Sequence, residues 1–251
     1  MTASFHRLAI LVSCMGAVFP ARADEISVAV AANFTAPMQK IAADFEKASG
    51  HKVQLIFGST GKFYAQIKAG APFLLLLAAD DETPARLLRE GEGVPGSSFT
   101  YAIGKLVLWS PKPGYVDDAG AVLRSGRFER LSMANPRLAP YGLAASETLK
   151  ALGLSDALQA RIVMGESITQ AFQFVASGNA ELGFVAYSQV HKDGQRIEGS
   201  YWLVPSRHYT PIRQDAVILK KGQGVPAVEA LAAYLRSRSA VTVIRSYGYE
   251  I

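Results

Sequence analysis

Short apolar runs alternate with segments whose apolar residues recur at helical spacing. Residues 25–32 (EISVAVAA) are apolar and rich in Val and Ile, the pattern of a strand buried on both faces. Across 35–47, apolar Met38, Ile41, Ala42 and Phe45 fall on one helical face, and Pro37 sits in the first turn, where its missing N–H costs nothing. Ser49-Gly50 stops that helix. Residues 53–57 read as a second strand, the turn Gly58-Ser-Thr-Gly61 opens a helix over 62–69, 73–78 is a third strand, and 83–90 a third helix capped by Thr83.

A second series follows the strand 101–109 and the break Ser110-Pro-Lys-Pro-Gly114. It predicts strands at 131–134, 161–164 and 182–186, and helices at 142–152, 156–160 and 168–177. An apolar strand at 213–220 and helices at 225–238 and 241–247 end the chain. Strands alternating with helices argue for an α/β protein with mostly parallel sheets covered by helices. The expected plan is a first lobe of residues 24–100 and 213–251 and a second of 101–212. The strands 101–109 and 213–220 would connect them.

The first 23 residues change this picture, because they read as a signal peptide. Arg7 forms the positive region, an apolar run spans 8–19, and Ala21-Arg-Ala23 is a small-x-small cleavage site. The run is too short for a membrane span, which takes ~20 apolar residues. Export into the periplasm is the expectation, with lipidation at Cys14 the alternative. Cleavage after Ala23 removes the only cysteine, leaving no disulfide, thiolate nucleophile or cysteine metal site. With 49% hydrophobic and 19% charged residues, the chain is globular rather than disordered. The net charge of +5 falls to +3 without Arg7 and Arg22, too little for a nucleic-acid partner.

Three strand-to-helix junctions carry small or hydroxyl residues: Asn33, Ser59 with Thr60, and Glu166-Ser167-Ile168. Ligands of parallel α/β sheets bind beyond the carboxyl ends of strands, and helix N-termini present unpaired N–H groups to anions. Converging junctions would make an anion pocket from neutral donors. Taken singly, Ser59 or Ser167 reads as a helix cap.

Catalytic readings fail on the same residues. Gly58-Ser-Thr-Gly-Lys62 lacks the first glycine of a phosphate loop and has Phe63 where Ser or Thr should stand, and it does not fit Gly-x-Ser-x-Gly. His51, His191 and His208 are scattered without metal-ligand spacing and read as solvated surface residues. Asp80-Asp-Glu82 reads as helix capping and dipole compensation rather than a cation site.

The motifs together resemble the periplasmic molybdate-binding proteins of ABC transporters. The segments are VAANFTAPM (30–38), FGSTGKFYAQI (57–67) with GAP (70–72), AAD (78–80), ANPRLAPYG (134–142), GESI (165–168), ELGFVA (181–186) and YGY (247–249). The resemblance implies the type II periplasmic binding protein fold, with two lobes, two hinge strands and an oxyanion held between the lobes. Carried over, the ligand residues are Asn33, Ser59 and Thr60 in the first lobe, and Tyr141 and the backbone N–H of Ile168 in the second. Some members use a tyrosine where this chain has Ala186, so Tyr187, one place off, is expected only to pack or lie at the surface. Leu74 departs from the usual acidic residue. The implied activity is capture of molybdate or tungstate and delivery to a membrane permease, by a monomer with no cofactor, no directly bound metal cation and no catalysis. Sulfate is the rival oxyanion, and a serine hydrolase at Ser59 or Ser167 the remote alternative.

Overall fold

The computed structural model describes residues 25–251. The expected leader over 1–23 and Cys14 lie outside the described residues.

β1 (Glu25–Ala31) passes through a 3-10 turn, Ala32–Phe34, into α1 (Thr35–Ser49). Met38, Ile41, Ala42 and Phe45 are its buried stripe, and Gly50 closes it at φ 77°, its N–H on the Glu46 carbonyl. β2 (Lys52–Gly58), α2 (Thr60–Lys68), β3 (Leu75–Leu77) and α3 (Glu82–Arg89) follow. α3 is capped by Asp80 and not by Thr83: the Asp80 carboxylate accepts from the Thr83 N–H at 2.8 Å. Leu74 packs half-buried against the first-lobe core at the start of β3.

The single strand expected over 101–109 is two strands, β4 (Phe99–Gly104) and β5 (Leu106–Ser110). The second series is α4 (Ala121–Ser125), β6 (Leu131–Ala134), α5 (Pro140–Ala151), α6 (Ser155–Leu158), β7 (Ile162–Gly165), α7 (Ile168–Ala176), β8 (Leu182–Ala186) and α8 (Tyr187–Val190). A hairpin of β9 (His191–Lys192) and β10 (Gln195–Arg196) and an edge strand β11 (Ser200–Leu203) come next. β12 (Ile212–Ile218), α9 (Pro226–Tyr234) and α10 (Arg238–Ser246) end the chain. α4, the hairpin and β11 were not expected, because each is too short to carry a period.

The strands form two five-stranded sheets, ordered β2-β1-β3-β12-β4 and β11-β5-β8-β6-β7. β12 is antiparallel to both its neighbours and β5 to both of its own, while the remaining pairings are parallel. Each sheet therefore has a single reversed strand, the first to arrive from the other sheet. β4 lies in the first sheet and β5 in the second, so the crossing falls at Lys105, just past the expected boundary at residue 100.

Both faces of each sheet are buried, which explains the unbroken apolar runs. Along β1, Ile26, Val28 and Val30 face one core cluster and Ala29 another. Along β5, Leu106 and Leu108 face one and Val107 and Trp109 another. At the crossing, the Val204 N–H donates to the Leu106 carbonyl at 3.0 Å. The C-terminal segment pairs there too, Ile103 and Glu250 exchanging N–H···O bonds of 2.7 and 3.1 Å, with Lys105 Nζ 2.7 Å from the Glu250 carboxylate.

Candidate functional site

The carboxyl ends of β1 and β2 and the first turns of α2, α5 and α7 meet between the sheets. Asn33, Ser59, Thr60, Tyr141 and Ile168 all line one cavity there, with Ala31, Ala32, Gly58, Ala79, Ala139 and Pro140. No lining residue is charged. Its volume is about 10 Å³, room for the centre of one small species, against about 300–1,000 Å³ for organic ligands.

Each donor is set by its helix. Ser59 is the N-cap residue of α2, yet its hydroxyl caps nothing. Ser59 Oγ is buried without a hydrogen-bond partner, a state shared among the described residues only by His51 Nδ1. Thr60 Oγ1 accepts from the Ala79 N–H at 2.9 Å, which leaves its own proton to donate elsewhere. Ser167, in contrast, caps α7, accepting from the Gln170 N–H at 3.2 Å. That places Ile168 at the first position of α7, where backbone N–H groups lack intrahelical partners. Tyr141 follows Pro140 into α5, and its hydroxyl accepts from Gln214 Nε2 at 3.3 Å. Burial, then the neighbouring Tyr249, pushes the Tyr141 phenol well above its ordinary pKa, so it remains a neutral donor.

Beneath the cavity lies a polar network that sequence reasoning missed. Asn33 Nδ2 donates to Gln214 Oε1 at 2.7 Å and to the Tyr249 hydroxyl at 2.9 Å. The Tyr249 and Ser188 hydroxyls reach the Asn33 carbonyl at 2.9 and 3.0 Å, and Tyr101 reaches Gln214 Oε1 at 3.1 Å. The Asn33 side-chain amide is thus committed to the protein. Gln214 could have been noticed as a polar residue inside a strand with buried neighbours, and Tyr249 through the YGY motif. Gly104 is required below them, since a Cβ there would collide with the Tyr141 hydroxyl and the Gln214 amide.

The sheets' loops touch around the cavity. The Gly61 N–H donates to the Leu138 carbonyl at 2.9 Å, where a Cβ on Gly61 would meet that oxygen at 3.0 Å. Thr169 Oγ1 donates to the Ala32 carbonyl at 3.2 Å, and Lys62 Nζ lies 2.6 Å from the Glu166 carboxylate.

Other candidates settle elsewhere. Tyr187 packs half-buried against the His191 and Tyr201 rings. The three histidines are half-buried beside aromatic rings rather than solvated: His51 by Phe45, His191 by Tyr187, His208 by Trp202. Asp80, which burial pushes above the usual carboxylate range, caps α3 as described. Among the described residues, no group of three or more His, Cys, Asp or Glu could hold a metal ion.

Two α/β lobes closing on a small, uncharged, donor-lined cavity define a solute-binding protein, and residues 26–250 match the family of bacterial extracellular solute-binding proteins. The chain belongs to that family. It is 58% identical over 251 residues, 100% of each chain, to a molybdate-binding protein of Azotobacter vinelandii. It is 50% identical over 236 residues, 94% of this chain and 92% of the other, to one of Rhodobacter capsulatus. The solved structure of a periplasmic molybdate-binding protein of Azotobacter vinelandii superposes with a TM-score of 0.88 at 43% identity, covering 90% of this chain and 99% of that one. The resemblance read from the motifs is borne out.

Proposed function

We propose that this protein captures molybdate or tungstate between its two lobes and delivers it to the membrane permease of an ABC transporter. The observation that carries the reading is the buried hydroxyl of Ser59, without a protein partner, in a cavity lined by uncharged groups. A buried donor left unpaired costs about 1–3 kcal/mol, and an anion supplies the missing acceptor. Thr60, Tyr141 and the Ile168 N–H would complete the coordination with Ser59, and Asn33 would contribute through its backbone, since its amide is held by Gln214 and Tyr249. The helix entrances supply a favourable dipole without a fixed positive charge, which keeps release easy. The names of the relatives support molybdate as the cargo.

The same reading takes residues 1–23 as a leader for periplasmic export and the mature chain as a monomer without cofactor or catalysis. The lobes would be 24–100 with 213–251, and 101–212, with the first crossing moved to Lys105 by sheet membership. Phosphate keeps a proton near neutral pH and would want a carboxylate acceptor, which the lining lacks. A hydrolase at Ser59 would need a base, and no base bonds its hydroxyl.

A thermal-shift panel tests the reading. Molybdate and tungstate should raise the melting temperature while sulfate, phosphate and chromate at equal concentration do little. Equal stabilisation by sulfate would overturn the molybdate assignment.

A further inference from the structure

Gln214 lies fully buried in β12, at the point where that strand's register against β4 shifts, and it joins both lobes. Its Oε1 accepts from Asn33 Nδ2 at 2.7 Å in the first lobe, and its Nε2 donates to the Tyr141 hydroxyl at 3.3 Å in the second. The direction of these bonds follows from the network. Tyr249 can give its proton to the Asn33 carbonyl or to Ser188 Oγ, both at 2.9 Å, so its oxygen accepts from Asn33 Nδ2. That orients the Asn33 amide, whose Nδ2 then requires an oxygen from Gln214 and turns Gln214 Nε2 toward Tyr141.

We propose that Gln214 is a positioning residue: by donating to the Tyr141 oxygen it turns the phenolic proton into the cavity, toward the anion. The inference rests on the oxyanion reading and deepens it, since a phenol can accept from one neighbour while donating to another. An acceptor at position 214 would draw the proton away from the cavity. Gly104 leaves the space in which the phenol and the amide meet. The Asn33 contact ties the same polarity to the loop that follows β1, so the first lobe sets the direction of a donor carried by the second.

A double-mutant cycle on molybdate affinity, measured by calorimetry on the full mature chain, tests the relay. Tyr141→Phe should weaken binding about tenfold or more, as for a hydrogen bond to a charged group. Gln214→Met should weaken it comparably in the wild-type background and by less than about twofold in the Tyr141→Phe background. Equal losses in both backgrounds, or none in either, overturn the proposal. Gln214→Glu keeps the shape and covers the case in which the methionine variant fails to fold. Its carboxylate would accept from Tyr141, so its loss should be larger with Tyr141 present than with Phe, whereas charge repulsion alone costs the same in both and would overturn the relay. Thr60→Ala separates the two readings: if it weakens binding while both Gln214 variants bind as wild type, only the relay falls. A wild-type chain that binds no molybdate removes the oxyanion reading itself.

Discussion

Ser59 and Ser167 are both serines at helix entrances, and the difference between them is one hydrogen bond. Ser167 is engaged as a cap, whereas Ser59 Oγ is buried without a partner. Ser59→Ala should therefore leave the unliganded protein as stable or more stable, because an unsatisfied hydroxyl costs about 1–3 kcal/mol. The same change should weaken molybdate binding by about 1.5–3 kcal/mol. Denaturation without ligand and calorimetry with it read the two signs separately, and a loss of stability with unchanged affinity would make Ser59 merely structural. The tyrosines of the network set a pH limit. Burial raises Tyr249 from 10.0 to about 12, and it also pushes Tyr141 well above the ordinary phenol value. Between those values the unfolded chain loses protons that the folded chain keeps, so stability falls as pH rises. This contribution should be complete below pH 10 and decline from about pH 10 toward 12, and Tyr249→Phe should flatten the decline in denaturation measured across that range.

At the scale of elements, the cavity depends on where α2, α5 and α7 begin. α7 is anchored by the Ser167 cap, and α2 by Thr60 accepting from the Ala79 N–H after β3. Ser167→Ala should cost about 1 kcal/mol of stability, the usual effect of losing a serine cap. It should change molybdate affinity by much less than Ser59→Ala, because the Ile168 N–H is backbone and survives the substitution. An affinity loss at Ser167 matching that at Ser59 would mean that the cap itself touches the ligand. The two reversed strands have a related role, since β5 and β12 each begin a sheet segment directly after a crossing.

For the whole molecule, the lobes touch through Gly61–Leu138, Thr169–Ala32, Asn33–Ser188, Tyr141–Gln214 and Lys62–Glu166. The last pair is largely exposed, with 42% and 67% of the side-chain surface accessible. Exposed pairs contribute roughly 0–1 kcal/mol and are screened by salt, so they cannot hold the lobes together alone. An anion that binds donors on both lobes favours the closed state by its differential affinity. Small-angle scattering should show a smaller radius of gyration with saturating molybdate than without. Ser59→Ala combined with Thr60→Ala should abolish the compaction, and an unchanged radius in the wild type would exclude hinge closure.

The sequence by itself determined the α/β alternation, the buried face of α1, and the junctions at Asn33, Ser59-Thr60 and Ser167-Ile168, because strand and helix periods and turn chemistry are local, whereas Tyr141 was legible only through the family resemblance. The same local signals mistook two strands for one around Lys105, since apolarity persists across the crossing while the hydrogen-bond partners change sheets. β11 escaped notice because a four-residue edge strand has no period to read. Only the tertiary structure decided which serine is a cap and which is left unpaired, that the Asn33 amide is bound internally, and that Gln214 and Tyr249 lie beneath the cavity. Those facts join residues as far apart as Asn33 and Tyr249, and a hydrogen bond between distant positions leaves no local pattern in a single chain.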